Sequence, residues 1–159
     1  MDRIILWALF IIGIVLIIFG LRKPFIKDWI LVFLIKAYFS TFIGNLVVEN
    51  EMLKYPVRFL SEYFKSSILY EYILLPVVCI YFYQTTYHSR FVNIILQCVL
   101  YSAALTITEV ILEKYTNLIE YLTWTWIHTF LSTFFIMIFV RTLMYLINKR
   151  DNQSSGTFI

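Results

Sequence analysis

The fold is decided by residues 68–112, ILYEYILLPVVCIYFYQTTY-HSR-FVNIILQCVLYSAALTITEVIL, in which two apolar runs flank a three-residue link. The runs Ile68–Tyr87 and Phe91–Leu112 contain 20 and 22 residues, and about 20 apolar residues allow a helix to cross a bilayer. Both runs are continuous rather than alternating, which favours helices over the strands of a membrane barrel. Because only His88–Arg90 separates them, they predict an antiparallel transmembrane hairpin.

Three more apolar runs lie outside this hairpin, at Ile4–Leu21, Trp29–Val48 and Leu122–Val140. The chain is 61% hydrophobic and 14% charged, whereas soluble domains are about 45–50% apolar and about 25% charged. These features predict an all-α integral membrane helical bundle with about five transmembrane helices, forming a single membrane domain over residues 1–159. The first run is expected to be a retained helix, because no small-residue cleavage site follows it.

The longest link between the runs, residues 49–67, has an amphipathic pattern. Its apolar side chains share one helical face, and its charged side chains share another. Since Pro56 suits the first turn of a helix, we expect a short interfacial helix over residues 56–66 or, alternatively, a packed re-entrant segment. The charged face is the predicted docking surface for a partner: Arg58, Glu62 and Lys65. The polar tail, residues 151–159, is predicted to be disordered.

Lysine and arginine are slightly more frequent on one side of the predicted spans. If the N-terminus is outside, the inner segments hold seven of these residues and the outer segments hold five, and basic residues favour the cytoplasmic side. The inner set includes the membrane-edge stop Arg22–Pro24 and the pair Lys149 and Arg150. We therefore expect a cell-membrane protein with its N-terminus outside and its C-terminus in the cytoplasm.

Two glutamates are predicted to lie at one depth of the hairpin. Glu71 is three residues into the third span and Glu109 is three residues before the end of the fourth. Ionisable groups inside spans are costly and commonly functional. With polar groups of the second and fifth spans, they form a predicted ion or proton layer in the outer leaflet: Asn45, Glu49, Glu71, Glu109 and His128. Alternatively, the glutamates lie at headgroup level and His128 is a hydrogen-bonded core residue.

Helical periodicity predicts which faces of these spans point inward. A polar stripe follows the fourth span at Ser102, Thr106, Glu109 and Glu113. A similar stripe follows the second span at Tyr38, Thr41, Asn45 and Glu49. Both stripes are expected to face the bundle, whereas Lys36 is expected to snorkel toward the inner surface. Pro76 predicts an irregular helix beside Glu71, because it frees the carbonyl of Tyr72.

The sequence contains no recognisable catalytic, cofactor-binding or metal-binding motif. It has no HExxH, GxSxG, Walker or GxGxxG pattern. The net charge of +3 is too scattered for a nucleic-acid surface. Cys79 and Cys98 lack a third ligand, so we expect them to be packing residues. We therefore expect no enzyme activity, no cofactor and no nucleic-acid partner.

Five segments carry a resemblance to a known family: YPVRFL at 55–60, SILYEY at 67–72, YQTTY at 83–87, EVILEKYTNLI at 109–119 and WTW at 124–126. Across roughly residues 35–140 the chain resembles a family of small multi-pass membrane proteins from spore-forming Gram-positive bacteria of the Bacillus and Clostridium type. The resemblance implies a bacterial membrane habitat and a multi-pass architecture. It assigns no activity and no functional residue.

Two functions are left open by these observations. The leading expectation is a non-catalytic accessory or interacting subunit of a membrane complex, with a protein partner or as a homo-oligomer, because the chain combines lipid-embedded helices with an amphipathic outer surface. The alternative is a small transporter or channel component that uses the predicted acidic and histidine layer for a proton or a cation.

Overall fold

The computed structural model describes residues 2–21 and 26–155, and it is 78% helical. In chain order the elements are α1 (Asp2–Leu21), α2 (Ile26–Glu49), β1 (Leu53–Lys54), a π-helix (Leu69–Leu74), α3 (Leu75–Thr86), α4 (Phe91–Tyr115), β2 (Glu120–Tyr121) and α5 (Trp126–Ser155). α1 packs against the π-helix and α3, and α2 packs against α3 and α5. α4 packs against α3 and α5, so the five helices form one bundle.

Within residues 2–21 and 26–155, four helices are long and apolar enough to cross a membrane, namely α1, α2, α4 and α5. This confirms the predicted all-α membrane bundle, although the count differs from the predicted number of about five. The third predicted span is divided into the π-helix and the 12-residue helix α3. The division lies next to Pro76, which cannot donate to the Tyr72 carbonyl and whose ring would collide with it in an α-helix. Instead, the Leu75 N–H donates to the Tyr70 carbonyl in a wider turn.

The last helix differs from its predicted span at both ends. α5 begins at Trp126, four residues after the predicted Leu122, because the N–H groups of residues 122–124 all donate to the Met52 carbonyl. It continues to Ser155, so the predicted disordered tail is helical over its first five residues. No proline or glycine interrupts the sequence between 126 and 155. Residues 156–159 and residues 22–25, which include the predicted stop Arg22–Pro24, lie outside the described residues.

The two links at the end of the bundle nearest Glu71 form a cap, which we define as residues 50–67 and 116–125. Within it, β1 pairs antiparallel with β2, with Leu53 opposite Tyr121 and Lys54 opposite Glu120. The cap thus pairs residues that lie 66 and 68 positions apart in the chain. It therefore closes this end of the bundle over the helices.

The predicted interfacial helix over residues 56–66 is wrong, because the chain there forms a series of turns. Leu60 has a φ of 53°, a left-handed conformation that interrupts a right-handed helix. The Arg58 guanidinium donates to the carbonyls of Tyr55 (2.6 Å), Ser61 (3.2 Å) and Phe64 (2.6 Å). These bonds satisfy backbone acceptors that helical N–H groups would otherwise take.

Candidate functional site

A cavity of about 60 Å³, lined by both polar and apolar side chains, lies inside the bundle beneath the cap, and we call it the central cavity. A buried water needs roughly 10–15 Å³ of such space, so the cavity has room for a few water molecules. Its polar lining comes from four helical elements and the cap: Lys36, Ser40, Tyr55, Tyr70, Glu71, Glu109, Trp124, Thr129, Ser132 and Thr133.

Glu109 is the most fully hydrogen-bonded residue of the central cavity. Its Oε2 accepts a hydrogen bond from the Tyr70 hydroxyl at 2.7 Å. Its Oε1 accepts from the hydroxyls of Tyr121 at 2.8 Å and Thr129 at 2.9 Å. The Trp124 indole N–H in turn donates to the Thr129 hydroxyl at 2.8 Å. The π-helix, the cap and α5 therefore hold the carboxyl of α4 in one position.

Glu71 is buried in the same cavity but is held differently. Only 3% of its surface is exposed, and among the described residues its Oε2 atom has no hydrogen-bond partner. Ser40, one turn before Gly44 on α2, also has a buried hydroxyl that no described residue contacts by a hydrogen bond. Buried polar atoms are nearly always hydrogen-bonded, to protein or to ordered water. The unpartnered atoms therefore mark a place where water, a proton or a small ligand can be accommodated.

Gly44 allows the Glu71 carboxylate to lie directly against the backbone of α2. A Cβ atom at position 44 would overlap the carboxylate carbon and both of its oxygens. Close approach of this kind requires glycine, which has no side chain. The position of the Glu71 carboxylate in the cavity thus depends on a specific residue of the neighbouring helix.

Lys36 completes the set of ionisable groups that line the central cavity. It is 1% exposed, so the expectation that it snorkels to the inner surface is wrong. Among the described residues the only ion pair within 4.0 Å joins Lys65 to Glu49, at 2.9 Å, so Lys36 forms no direct pair with Glu71. The two groups nevertheless line one cavity and attract each other electrostatically.

Two tyrosines of the cap contact this site from outside the spans. Burial raises the pKa of the Tyr121 phenol, and the neighbouring Glu109 carboxylate raises it further. Burial also raises the pKa of Tyr55 well above its usual value, with smaller contributions from the charges of Glu71 and Glu109. Both phenols therefore keep their protons at neutral pH and remain hydrogen-bond donors.

Tyr55 also borders a cavity on the outer side of the cap. It lines the central cavity and, at the same time, an outer cavity of about 450 Å³ in the cap. The outer cavity is lined by charged side chains: Glu49, Glu51, Lys54, Arg58, Lys65 and Glu120. The Tyr55 side chain, 6% exposed, is thus the group that the two cavities share.

Of the predicted five-residue layer, the structure brings Glu71 and Glu109 together and leaves the other three exposed. Asn45 and Glu49 lie on the outer face of α2, and Glu49 pairs with Lys65. His128 is exposed, with its Nδ1 atom 2.7 Å from the Thr125 hydroxyl and its ring against Trp124. For these three residues the prediction is wrong. Thr129, the next residue on α5, occupies the place expected for His128.

The two predicted stripes have opposite outcomes. On α4 the stripe faces inward as predicted, with three members buried and Glu113 half-buried. On α2 three of its members, Tyr38, Asn45 and Glu49, are exposed and Thr41 is half-buried. The inward face of α2 carries another series at spacings of four: Val32, Lys36, Ser40 and Gly44. The sequence signal that could have identified this face is the spacing of four that puts a lysine, a serine and a glycine on the same side of α2.

The predicted docking residues are largely engaged within the chain. Arg58 donates to three carbonyls of the cap, and Lys65 pairs with Glu49. Glu62 is exposed. Cys79 and Cys98 are free and buried, in agreement with a packing role.

No protein-family model, curated protein or solved structure matches the chain, so the evidence for its function comes from the site itself.

Proposed function

We propose that this chain is a non-catalytic multi-pass protein of the cell membrane that takes up and releases a proton in the central cavity, as a small transporter or channel component. The observation that carries the proposal is the buried Glu71 carboxylate, which shares the cavity with Lys36 and Glu109 and whose Oε2 atom has no partner in the part of the chain that the structure describes. With the N-terminus outside the cell, the cavity lies in the outer leaflet.

The charges of the cavity favour the uptake of one further positive charge. Ionised Lys36 contributes one positive charge, and ionised Glu71 and Glu109 contribute two negative charges. An uncompensated charge away from water is costly, so the cavity is most stable when one proton or one monovalent cation is added. Metal cations such as Ca²⁺ take six to eight oxygen ligands, whereas a proton needs only the free oxygen of Glu71.

The route for the proton on the outer side leads past Tyr55. The outer cavity is open and charged, and the Tyr55 side chain borders both this cavity and the central cavity. A protonated phenol can donate and accept a hydrogen bond, which suits proton passage better than an apolar side chain would. On the other side the central cavity borders the apolar cluster that includes Val32, Cys79 and Met137.

The test is proton flux into proteoliposomes that contain the purified protein and a trapped pH-sensitive dye. An acid pulse outside should lower the internal pH faster than in empty vesicles. Glu71→Gln and Glu109→Gln should abolish this flux, because each leaves Lys36 balanced by a single carboxylate. The matched control is Glu113→Gln, which changes a half-buried glutamate one turn away on α4 and should keep the wild-type rate.

Equal rates for Glu71→Gln, Glu113→Gln and the wild type would reject the proposal. The role of accessory subunit stays a prediction, and it is tested separately by the composition of the protein extracted in native lipid discs. A stoichiometric second polypeptide would place the proton site in a larger complex. A homo-oligomer alone would assign the flux to this chain.

A further inference from the structure

A third cavity, of about 320 Å³, lies at the end of the bundle opposite to the cap. We call it the inner pocket; it is lined by Tyr83, Tyr87, Arg141, Tyr145, Asn148 and Lys149. Tyr83 follows Glu71 by 12 residues along the π-helix and α3, which is at most about 18 Å at the α-helical rise of 1.5 Å per residue. The inner pocket and the central cavity are therefore separate features.

Arg141 is fixed at the base of the inner pocket. Its Nη2 atom donates to the carbonyls of Thr86 at 3.1 Å and Tyr87 at 3.2 Å, at the C-terminal end of α3. Its guanidinium carbon lies 5.1 Å from the centre of the Tyr83 ring, which the cation covers. Its buried Nε atom has no hydrogen-bond partner among the described residues. The guanidinium is thus oriented by the fold and retains donor capacity.

A second positive charge stands on the same face of α5. Relative to Arg141, the other three lining residues of α5 stand four, seven and eight positions later, which places all four on one side of a helix: Arg141, Tyr145, Asn148 and Lys149. Beside the pocket, the Asp28 carboxylate accepts hydrogen bonds from Tyr83 at 3.1 Å and Asn148 at 2.9 Å. Asp28 does not line the pocket, so the lining itself carries two positive charges and no negative charge.

We propose that the inner pocket binds the phosphate group of an anionic phospholipid at the inner membrane surface. Guanidinium and ammonium groups are the usual phosphate partners, and basic pockets between helices on the cytoplasmic side hold anionic headgroups. Tyrosines are enriched at the depth of the headgroups. The pocket lies where α3 ends while α5 continues past it to Ser155, which is where a headgroup would meet the helices.

The experiment is native mass spectrometry of the full-length, delipidated protein incubated separately with phosphatidylglycerol, phosphatidylcholine and inorganic phosphate. We expect one phosphatidylglycerol molecule to be retained in preference to phosphatidylcholine. Lys149→Gln should weaken this retention about fivefold, as expected for one basic group at an anionic membrane surface. Arg141→Gln should weaken it about tenfold or more. Lys114→Gln, an exposed lysine in the last turn of α4, is the control and should leave retention unchanged.

Lys149→Gln keeps the experiment decisive if Arg141→Gln fails to fold, because Lys149 is exposed. Equal retention of the two lipids, or unchanged retention in Lys149→Gln, would overturn the proposal. Retention of inorganic phosphate without a preference between the lipids would assign the pocket to a soluble phosphate and would likewise overturn the lipid assignment. Glu71→Gln should retain phosphatidylglycerol as the wild type does, since the two sites are separate.

Discussion

Replacing Gly44 by alanine adds one methyl group to α2 at the point where the Glu71 carboxylate lies against it. The new Cβ atom would overlap the carboxylate, so the Glu71 side chain has to move away from its place in the central cavity. This substitution changes neither the charge nor the hydrogen-bonding groups of the cavity. It therefore tests the position of Glu71 separately from its chemistry.

Two opposing effects set the expected change in the free energy of unfolding of Gly44→Ala. Overpacking a buried position costs about 1–3 kcal/mol, whereas alanine in place of glycine stabilises a helix interior by about 1 kcal/mol. The net loss in the free energy of unfolding is therefore about 0–2 kcal/mol, and the protein should still fold. A misplacement of about 1 Å can reduce a geometry-dependent rate about 100-fold. We expect the proton flux to fall at least tenfold.

Gly20→Ala is the matched control for this experiment. A Cβ atom at Gly20 would meet its nearest neighbour, Ile80 Cγ2, at 3.8 Å, which is ordinary van der Waals contact. Both variants are measured by proton flux in proteoliposomes and by unfolding in detergent. Flux in Gly44→Ala equal to that in Gly20→Ala, with both proteins folded, would refute the reasoning that places Glu71 at the site of proton uptake.

Three further substitutions probe other parts of the structure. Tyr121→Phe removes one donor to Glu109 and should lower the free energy of unfolding by about 1.5–3 kcal/mol at neutral pH. The pKa of Tyr121 is raised in the folded protein, so the free energy of unfolding should fall as the pH rises above about 10. This loss should be smaller in Tyr121→Phe, and an equal loss in both proteins would contradict the raised pKa of Tyr121. Lys36→Met removes the only positive charge of the central cavity, so we expect two bound protons per molecule instead of one, measured by infrared spectroscopy of the protonated carboxyl groups. Leu60→Gly relieves the left-handed backbone at φ 53° and should stabilise the cap by about 1 kcal/mol, visible as a higher midpoint of unfolding; a lower midpoint would argue against strain at Leu60.

The spans and the pairing of Glu71 with Glu109 could be predicted from the sequence, because both follow from run lengths and from counting residues along an antiparallel hairpin. The orientation of α2 about its axis could not. In a bilayer the lipid is as apolar as the bundle interior, so apolar residues do not indicate which face is buried. Asn45 and Glu49 lie near the end of α2, where they are exposed beside the cap, while Lys36 is buried at the centre.

The conformation of the cap could not be predicted from local sequence patterns, for a different reason. The spacing of charged and apolar residues in 56–66 is compatible with a helix, but the conformation is set by partners elsewhere. Pairing of Leu53 with Tyr121 and of the Val57 N–H with the Asn117 carbonyl joins segments about 60 residues apart. Pro76 gave a correct signal of an irregular helix, although it did not specify the π-helix that brings Tyr70 and Glu71 to the central cavity.

The most direct test of the account is the number of protons taken up by the central cavity, measured by infrared difference spectroscopy of the purified protein between high and low pH. We predict that the wild type shows one buried carboxyl group that gains a proton and that Glu71→Gln shows none, while Glu113→Gln resembles the wild type. A buried-carboxyl signal that persists unchanged in Glu71→Gln would contradict the assignment of the proton site.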